Sequence, residues 1–151
     1  MRLIASNKKI IKGDFLKYII VFMLGIVFAA CENPIGVNVN LNEEFNLKVG
    51  EQAVIKGEDL RIKFISVPED TRCPLDLRCF WSGNAKVALT IRKDSNAPIE
   101  DSLNTHVDPR ESEYLNYQIT LKNLEPYPVQ DESIPQTDYV ATFIIKNNWN
   151  K

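Results

Sequence analysis

From Phe45 to Ile145 the chain alternates apolar and polar residues at a period of two. Phe45, Leu47 and Val49 alternate up to the turn at Gly50-Glu51, Ala53 and Ile55 follow, and Gly57-Glu58-Asp59 marks another turn. Leu60, Ile62 and Phe64 alternate, and the apolar face then shifts to Ile65 and Val67, the signature of a β-bulge. Ala85, Val87, Leu89 and Ile91 give the cleanest run, repeated by Tyr117, Ile119 and Leu121 and by Tyr139, Ala141, Phe143 and Ile145. Because successive side chains on a strand point to opposite faces, each run has one buried and one wet face. That is the pattern of antiparallel pairing. The expectation is an all-β domain: an antiparallel sandwich of immunoglobulin-like type, or a small barrel, with six to eight strands. Lys93–Pro109 has weak periodicity and is expected to be a long loop or a poor edge strand. Glu125–Thr137, with three prolines, is expected to be irregular.

The first thirty residues follow different rules. Arg2, Lys8, Lys9, Lys12 and Lys17 precede an uncharged apolar run, Tyr18–Ala30, of 13 residues. This is the length of a signal-peptide core and short of the roughly 20 residues a membrane-spanning helix needs. Ala29-Ala30-Cys31 resembles the lipobox of bacterial lipoproteins, with Phe28 in place of the common Leu. That resemblance implies cleavage before Cys31, a diacylglyceryl group on its thiol and an acylated new N-terminus, so that acyl chains such as palmitate hold the protein to a membrane. Two or more acyl chains give stable anchoring where one gives only marginal binding. An ordinary signal peptide followed by an unrelated cysteine is the alternative. The expected organisation is a signal peptide at 1–30, a lipidated cysteine and polar tether at 31–44, and one all-β domain at 45–151. Val37, Val39 and Leu41 alternate with asparagines, so the second half of the tether is equally readable as a first edge strand.

Removing the leader changes the charge. Beyond Cys31 the chain carries 13 Lys and Arg against 19 Asp and Glu, a net charge of −6 rather than the −2 of the whole chain. An acidic domain without a basic stripe is a poor partner for nucleic acid or for anionic headgroups.

The segment EDTRCPLDLRCFWSGNA, 69–85, joins two of the predicted strands and holds the other two cysteines. In an exported protein thiols mature under conditions where disulfides persist, and with Cys31 lipidated Cys73 and Cys79 are left to pair with each other. A structural disulfide is the favoured reading. A metal site would have to recruit the lone His106 and Asp76 in addition to the cysteines, and a redox bridge lacks the usual C-x-x-C at a helix start. Around the cysteines, Arg72 is expected to pair with Asp70 or Asp76, and Gly83 to supply a positive φ. Trp81 is expected either to cap the core over the disulfide or to anchor an interface.

The string D-T-R-C-P-x4-C-x-W-x-G-x-A, 70–85, resembles one that recurs in small, mostly uncharacterised bacterial lipoproteins as D-S-R-C-P followed by C-x-W-x-G. FNLKVGEQAVI upstream and YQITL at 117–121 extend the likeness over residues 45–124. Thr71 and Ser82 depart mildly from that pattern. The resemblance implies a secreted β domain and carries no activity.

One histidine leaves no Ser-His-Asp or Cys-His set, and the carboxylate pairs Glu69/Asp70, Glu100/Asp101 and Asp131/Glu132 are sequence neighbours that a strand would point apart. No phosphate loop or calcium-loop motif is present. The chain thus reads as a non-catalytic, cofactor-free binding or accessory protein of the bacterial cell envelope. It would be anchored in the outer or inner membrane on the exported side, and would offer Arg72, Phe80, Trp81 and Tyr127 as a binding surface to an envelope protein. A metal-binding or redox-active protein using the Cys73/Cys79 loop is the alternative.

Overall fold

A computed structural model describes residues 36–148. The leader, Cys31 and Trp149, which the sequence suggests closes the last strand, lie outside the described residues.

Among the described residues nine strands form two sheets: β1 (Val37–Val39), β2 (Glu44–Lys48), β3 (Gln52–Ile55), β4 (Leu60–Asp70), β5 (Ala85–Lys93), β6 (Ile99–Asn104), β7 (Glu111–Tyr114), β8 (Tyr117–Glu125) and β9 (Val140–Asn147). One sheet has the order β1-β3-β4-β5-β6 and the other β2-β9-β8-β7, an open sandwich rather than a closed barrel. The count exceeds the expected six to eight because β1, β6 and β7 are short edge strands with few apolar residues facing inward.

All pairings are antiparallel except β1 with β3. That exception follows from the path of the chain. It leaves β1 for the opposite sheet to make β2, then returns as β3, so two reversals set β1 and β3 in the same direction. The asparagine-rich segment is therefore part of the domain, with β1 as an edge strand, and the domain begins before residue 45.

Every clean alternation in the sequence is a strand whose apolar residues are buried: Leu60, Ile62 and Phe64 on β4, Val87, Leu89 and Ile91 on β5, and Ala141, Phe143 and Ile145 on β9. The face shift on β4 is a break in register between Phe64 and Ser66, and a second break falls between Leu121 and Asn123 on β8. Phe143 ties the layers together, 6.0 Å from Phe45 beside it and edge-on to Phe64 of the facing sheet at 6.3 Å. Such aromatic pairs add to the stabilisation that comes from burial alone.

The two ends of the sandwich differ. At one end the turns carry Gly57, Glu58, Asp59, Asp94, Ser95 and Asn96, polar apart from nearby Leu115. The other end carries the cysteine loop, between the end of β4 and the start of β5.

Candidate functional site

The cysteine loop grows out of the β4–β5 hairpin. Beyond the last ladder pair, Thr71 N–H donates to the Asn84 carbonyl (2.7 Å) and Cys73 N–H to the Ser82 carbonyl (2.9 Å). Gly83 lies between these two bonds with φ +69°, the positive value expected of it. Past this neck Cys73 and Cys79 are joined by a disulfide with Cα atoms 6.0 Å apart, as expected. Closing a loop of seven residues contributes about 2 kcal/mol in the chain-entropy picture. Two more bonds fasten the loop to the proline-rich segment after β8: Leu75 N–H donates to the Pro128 carbonyl (3.0 Å), and Gln130 N–H to the Asp76 carboxylate (3.0 Å).

Below the loop is a buried polar cluster. Arg72 is 3% exposed, so it belongs to the interior and not to a binding surface. Its guanidinium grips Asp70 through Nε to Oδ1 (2.9 Å) and Nη2 to Oδ2 (2.6 Å). The remaining donors reach the carbonyls of Leu124 (Nη1, 2.5 Å) and Pro126 (Nη2, 2.7 Å). Tyr139 Oη donates to Asp70 Oδ2 (3.0 Å), and the Tyr127 ring stacks on the guanidinium at 4.5 Å. A bidentate arginine serves here because its planar fork addresses a carboxylate and two carbonyls at once. Of the two partners expected for Arg72 the structure selects Asp70; Asp76 is engaged by Gln130 instead.

Burial pushes the Asp70 carboxyl up, but its hydrogen bonds to Arg72, the Arg72 charge and the Tyr139 hydroxyl outweigh this and hold it below the usual 3.8. Tyr139 is pushed up to about 12 by burial and by the Asp70 charge. At the far end Tyr117, which donates to the Glu58 carboxylate, is likewise pushed up to about 12 by burial and by Glu58. A raised folded value means that the stabilisation is complete below the ordinary tyrosine value near 10 and is lost as pH rises through about 12. Asp70 works in the opposite sense: its contribution is present above about 4 and is lost as pH falls through its lowered value. Stability should therefore be insensitive to these three groups from about pH 5 to 9 and fall steeply above pH 10. A spectrophotometric tyrosinate titration checks this, with Tyr117 and Tyr139 expected to ionise last and together with unfolding. Two-step ionisation complete by pH 10, without unfolding, would contradict the buried hydrogen bonds.

The residues expected to form a binding surface thus divide. Phe80 (102% exposed) and Trp81 (73%) stand in solvent at the tip of the loop; Tyr127 is half-buried beneath Arg72. Trp81 does not cap the core, because the hairpin neck lifts it beyond the end of the sheets. Sequence reading missed three companions: Leu75 (72% exposed), Leu77 and, on the strap beside the loop, Val129. Their signal was visible, since Leu75 and Leu77 flank Asp76 in a segment otherwise rich in turn and charged residues.

His106 lies near the base of the loop, its backbone N–H donating to Asn84 Oδ1 (3.1 Å), while its ring is exposed and meets Thr105 Oγ1. It lines a crevice of about 140 Å³ with Arg72, Arg110, Lys122 and Tyr127. With Cys73 and Cys79 joined, neither offers a thiolate to a metal, and among the described residues no three His, Cys, Asp or Glu side chains converge on a point that would hold one.

What this end of the molecule presents is a stiff apolar tip: four large apolar side chains on a loop closed by a disulfide, pinned to its strap and seated on a buried ion pair. Compared with protein-family models, curated proteins and solved structures, the chain finds no match.

Proposed function

We propose that the protein is a lipid-anchored module of the bacterial cell envelope, held through acyl chains on Cys31, that acts by binding through the tip of its cysteine loop. The observation that carries the binding reading is the exposure of Phe80 and Trp81 on a braced loop. Large aromatic side chains left in water cost the free protein solvation, and holding them rigid removes much of the entropy that binding would otherwise lose. Aromatic anchors on a preformed surface are what binding hot spots consist of. Support for the anchor is the leader with its Ala-Ala-Cys end and the resemblance of the 70–85 string to one expected of bacterial lipoproteins.

The test is made in cells with the full chain. A photo-reactive residue at position 80 or 81 is expected to give adducts on irradiation, and the same residue at position 95, among the polar turns of the opposite end, is not. The double substitution Leu77→Ser with Phe80→Ser should leave the melting temperature within experimental error, as exposed positions change stability little. It should abolish adducts from a probe at position 81. Equal labelling from both ends of the molecule, or none from the tip, would sink the binding reading. The mass of the purified protein decides the anchor separately.

A further inference from the structure

We propose that the surface bound by the tip is the lipid bilayer in which the acyl chains sit. Leu75, Leu77, Phe80, Trp81 and Val129 enter its interface and fix the domain end-on to the membrane. This rests on the lipid-anchored reading of Cys31.

Strand direction supplies the geometry. β1 runs parallel to β3 and therefore antiparallel to β4, with Val37 level with Ala53 and, one strand further, Ile62. β4 runs from that level toward the cysteine loop, so the chain preceding β1 leaves the sheet in the direction of the same loop. Only five residue steps separate Gly36 from Cys31, a span of at most about 18 Å. From Ile62 to Asp70, β4 climbs eight residues, or about 26 Å before the shortening caused by its bulges. The neck and the disulfide loop then extend beyond Asp70. Chain length alone therefore allows Cys31 to reach no further than about the level where β4 ends, and the loop projects past that level. A domain tethered so closely has no room to stand away from the bilayer, and the end it turns toward the lipid carries the apolar tip.

The composition of that tip suits the interface. Tryptophan favours the boundary between headgroups and acyl chains, where its amphipathic ring has apolar and polar surroundings at once, and phenylalanine and leucine supply the apolar surface that is buried there. Arg78, on the same loop, is long enough to keep its charge among the headgroups while its stem lies along lipid. The net charge of −6 beyond Cys31 opposes electrostatic attraction to an anionic surface, so apolar insertion is the term that holds the tip, and salt should not release it. Since the acyl chains already anchor the protein, the contribution of the tip is orientation. It turns the opposite end, with its polar turns, outward.

The experiment uses the full chain expressed in a bacterium, extracted with its acyl groups and reconstituted into phosphatidylethanolamine–phosphatidylglycerol vesicles. The chain has two tryptophans, so a Trp149→Phe background makes Trp81 the only emitter. With brominated acyl chains, Trp81 emission is expected to shift to the blue and lose most of its intensity, while aqueous iodide quenches it several-fold less than in detergent-free, delipidated protein. Raising the salt to molar concentration should not reverse this. A second variant, Leu75→Ser with Leu77→Ser, should restore iodide access without releasing the protein from vesicles. The proposal is overturned if Trp81 in the acylated, vesicle-bound protein stays open to iodide and untouched by bromine. It is overturned equally if Trp81 is shielded only in native membranes, which makes a protein the occupant and leaves the binding reading intact. Intact mass without acyl groups on Cys31 overturns the anchor and this proposal together, and is distinguishable from both.

Discussion

Replacing Arg72 with alanine is expected to lower the unfolding free energy by about 3–5 kcal/mol, the usual consequence of breaking a buried ion pair from one side. The substitution removes the only cation bonded to the Asp70 carboxylate among the described residues, and leaves the Leu124 and Pro126 carbonyls without the donors they have in the folded domain. Asp70 retains the Tyr139 hydroxyl and one backbone N–H. These do not neutralise a carboxylate that is largely shielded from water, and its lowered pKa, which reflects Arg72, should move up in the variant. For a domain whose total stability is of the order of 5–15 kcal/mol, this is a large share of the margin. Arg72→Lys should recover part of the loss and no more, because a point charge cannot serve a carboxylate and two carbonyls in one plane. Asp70→Asn should cost about as much as Arg72→Ala, leaving a buried guanidinium uncompensated. The double variant should cost less than the sum of the two single changes, since each already breaks the same pair. Urea unfolding of the four variants checks this, with the midpoint shifted and the slope unchanged. A loss below 1 kcal/mol for Arg72→Ala would mean that desolvation of the pair cancels its attraction, as happens in some buried pairs. The strap after β8 would then be held by its bonds to Leu75 and Asp76 without it.

That pair also shows where sequence reading stopped. The strands were legible because each buries one face, and the bulge on β4 was legible because a change of face breaks the alternation. The disulfide followed from counting cysteines in a chain whose leader reads as a signal for export. β7 was missed because its buried Ser112 is satisfied by the Asp101 carboxylate and carries no hydrophobic signal, and β6 was ambiguous because only its last two residues are buried. Arg72 reads from sequence as a partner of Asp70 or Asp76 and also as an anchor of a binding surface, and only the first holds. What draws it inside is a pair of backbone carbonyls 52 and 54 residues away, and backbone acceptors leave no trace in a pattern of side chains. Trp81 goes the opposite way: of its two sequence readings, a cap on the core and an exposed anchor, its exposure leaves only the second, because the hairpin neck keeps it from the core. Both residues belong to the same seventeen-residue segment, 69–85, where the local rules for burial are reversed: the charge is inside and the aromatics outside. Such a reversal is what the proposed binding surface on a rigid base requires.

Gly83 supports that base, and Gly83→Ala is expected to be the second most damaging of the single substitutions considered for this end of the molecule. Two effects combine. The backbone has φ +69°, where an L-residue costs about 1–2 kcal/mol. A Cβ there would also lie 1.8 Å from the Thr71 carbonyl oxygen and 2.7 Å from Arg72 Cα, against backbone that has no rotamer with which to yield. Relief requires the two arms of the neck to part, breaking the bonds from Thr71 to Asn84 and from Cys73 to Ser82 on either side. The expected cost is therefore above the conformational term alone, of the order of 3 kcal/mol or more. Asparagine separates the two effects. It tolerates positive φ but brings the same Cβ, so Gly83→Asn should be nearly as harmful as Gly83→Ala. Gly50 supplies the control: its φ is +89° with no atom near the added Cβ, so Gly50→Ala should cost only about 1 kcal/mol. Thermal unfolding of the three variants, together with the rate at which dithiothreitol reduces the Cys73–Cys79 bond in each folded protein, distinguishes the mechanisms. Opening of the neck predicts faster reduction for both Gly83 variants and an unchanged rate for Gly50→Ala. If Gly83→Asn proves as stable as the wild type, the close approach to Thr71 is not what requires glycine, and the loop is held from its strap rather than from its neck.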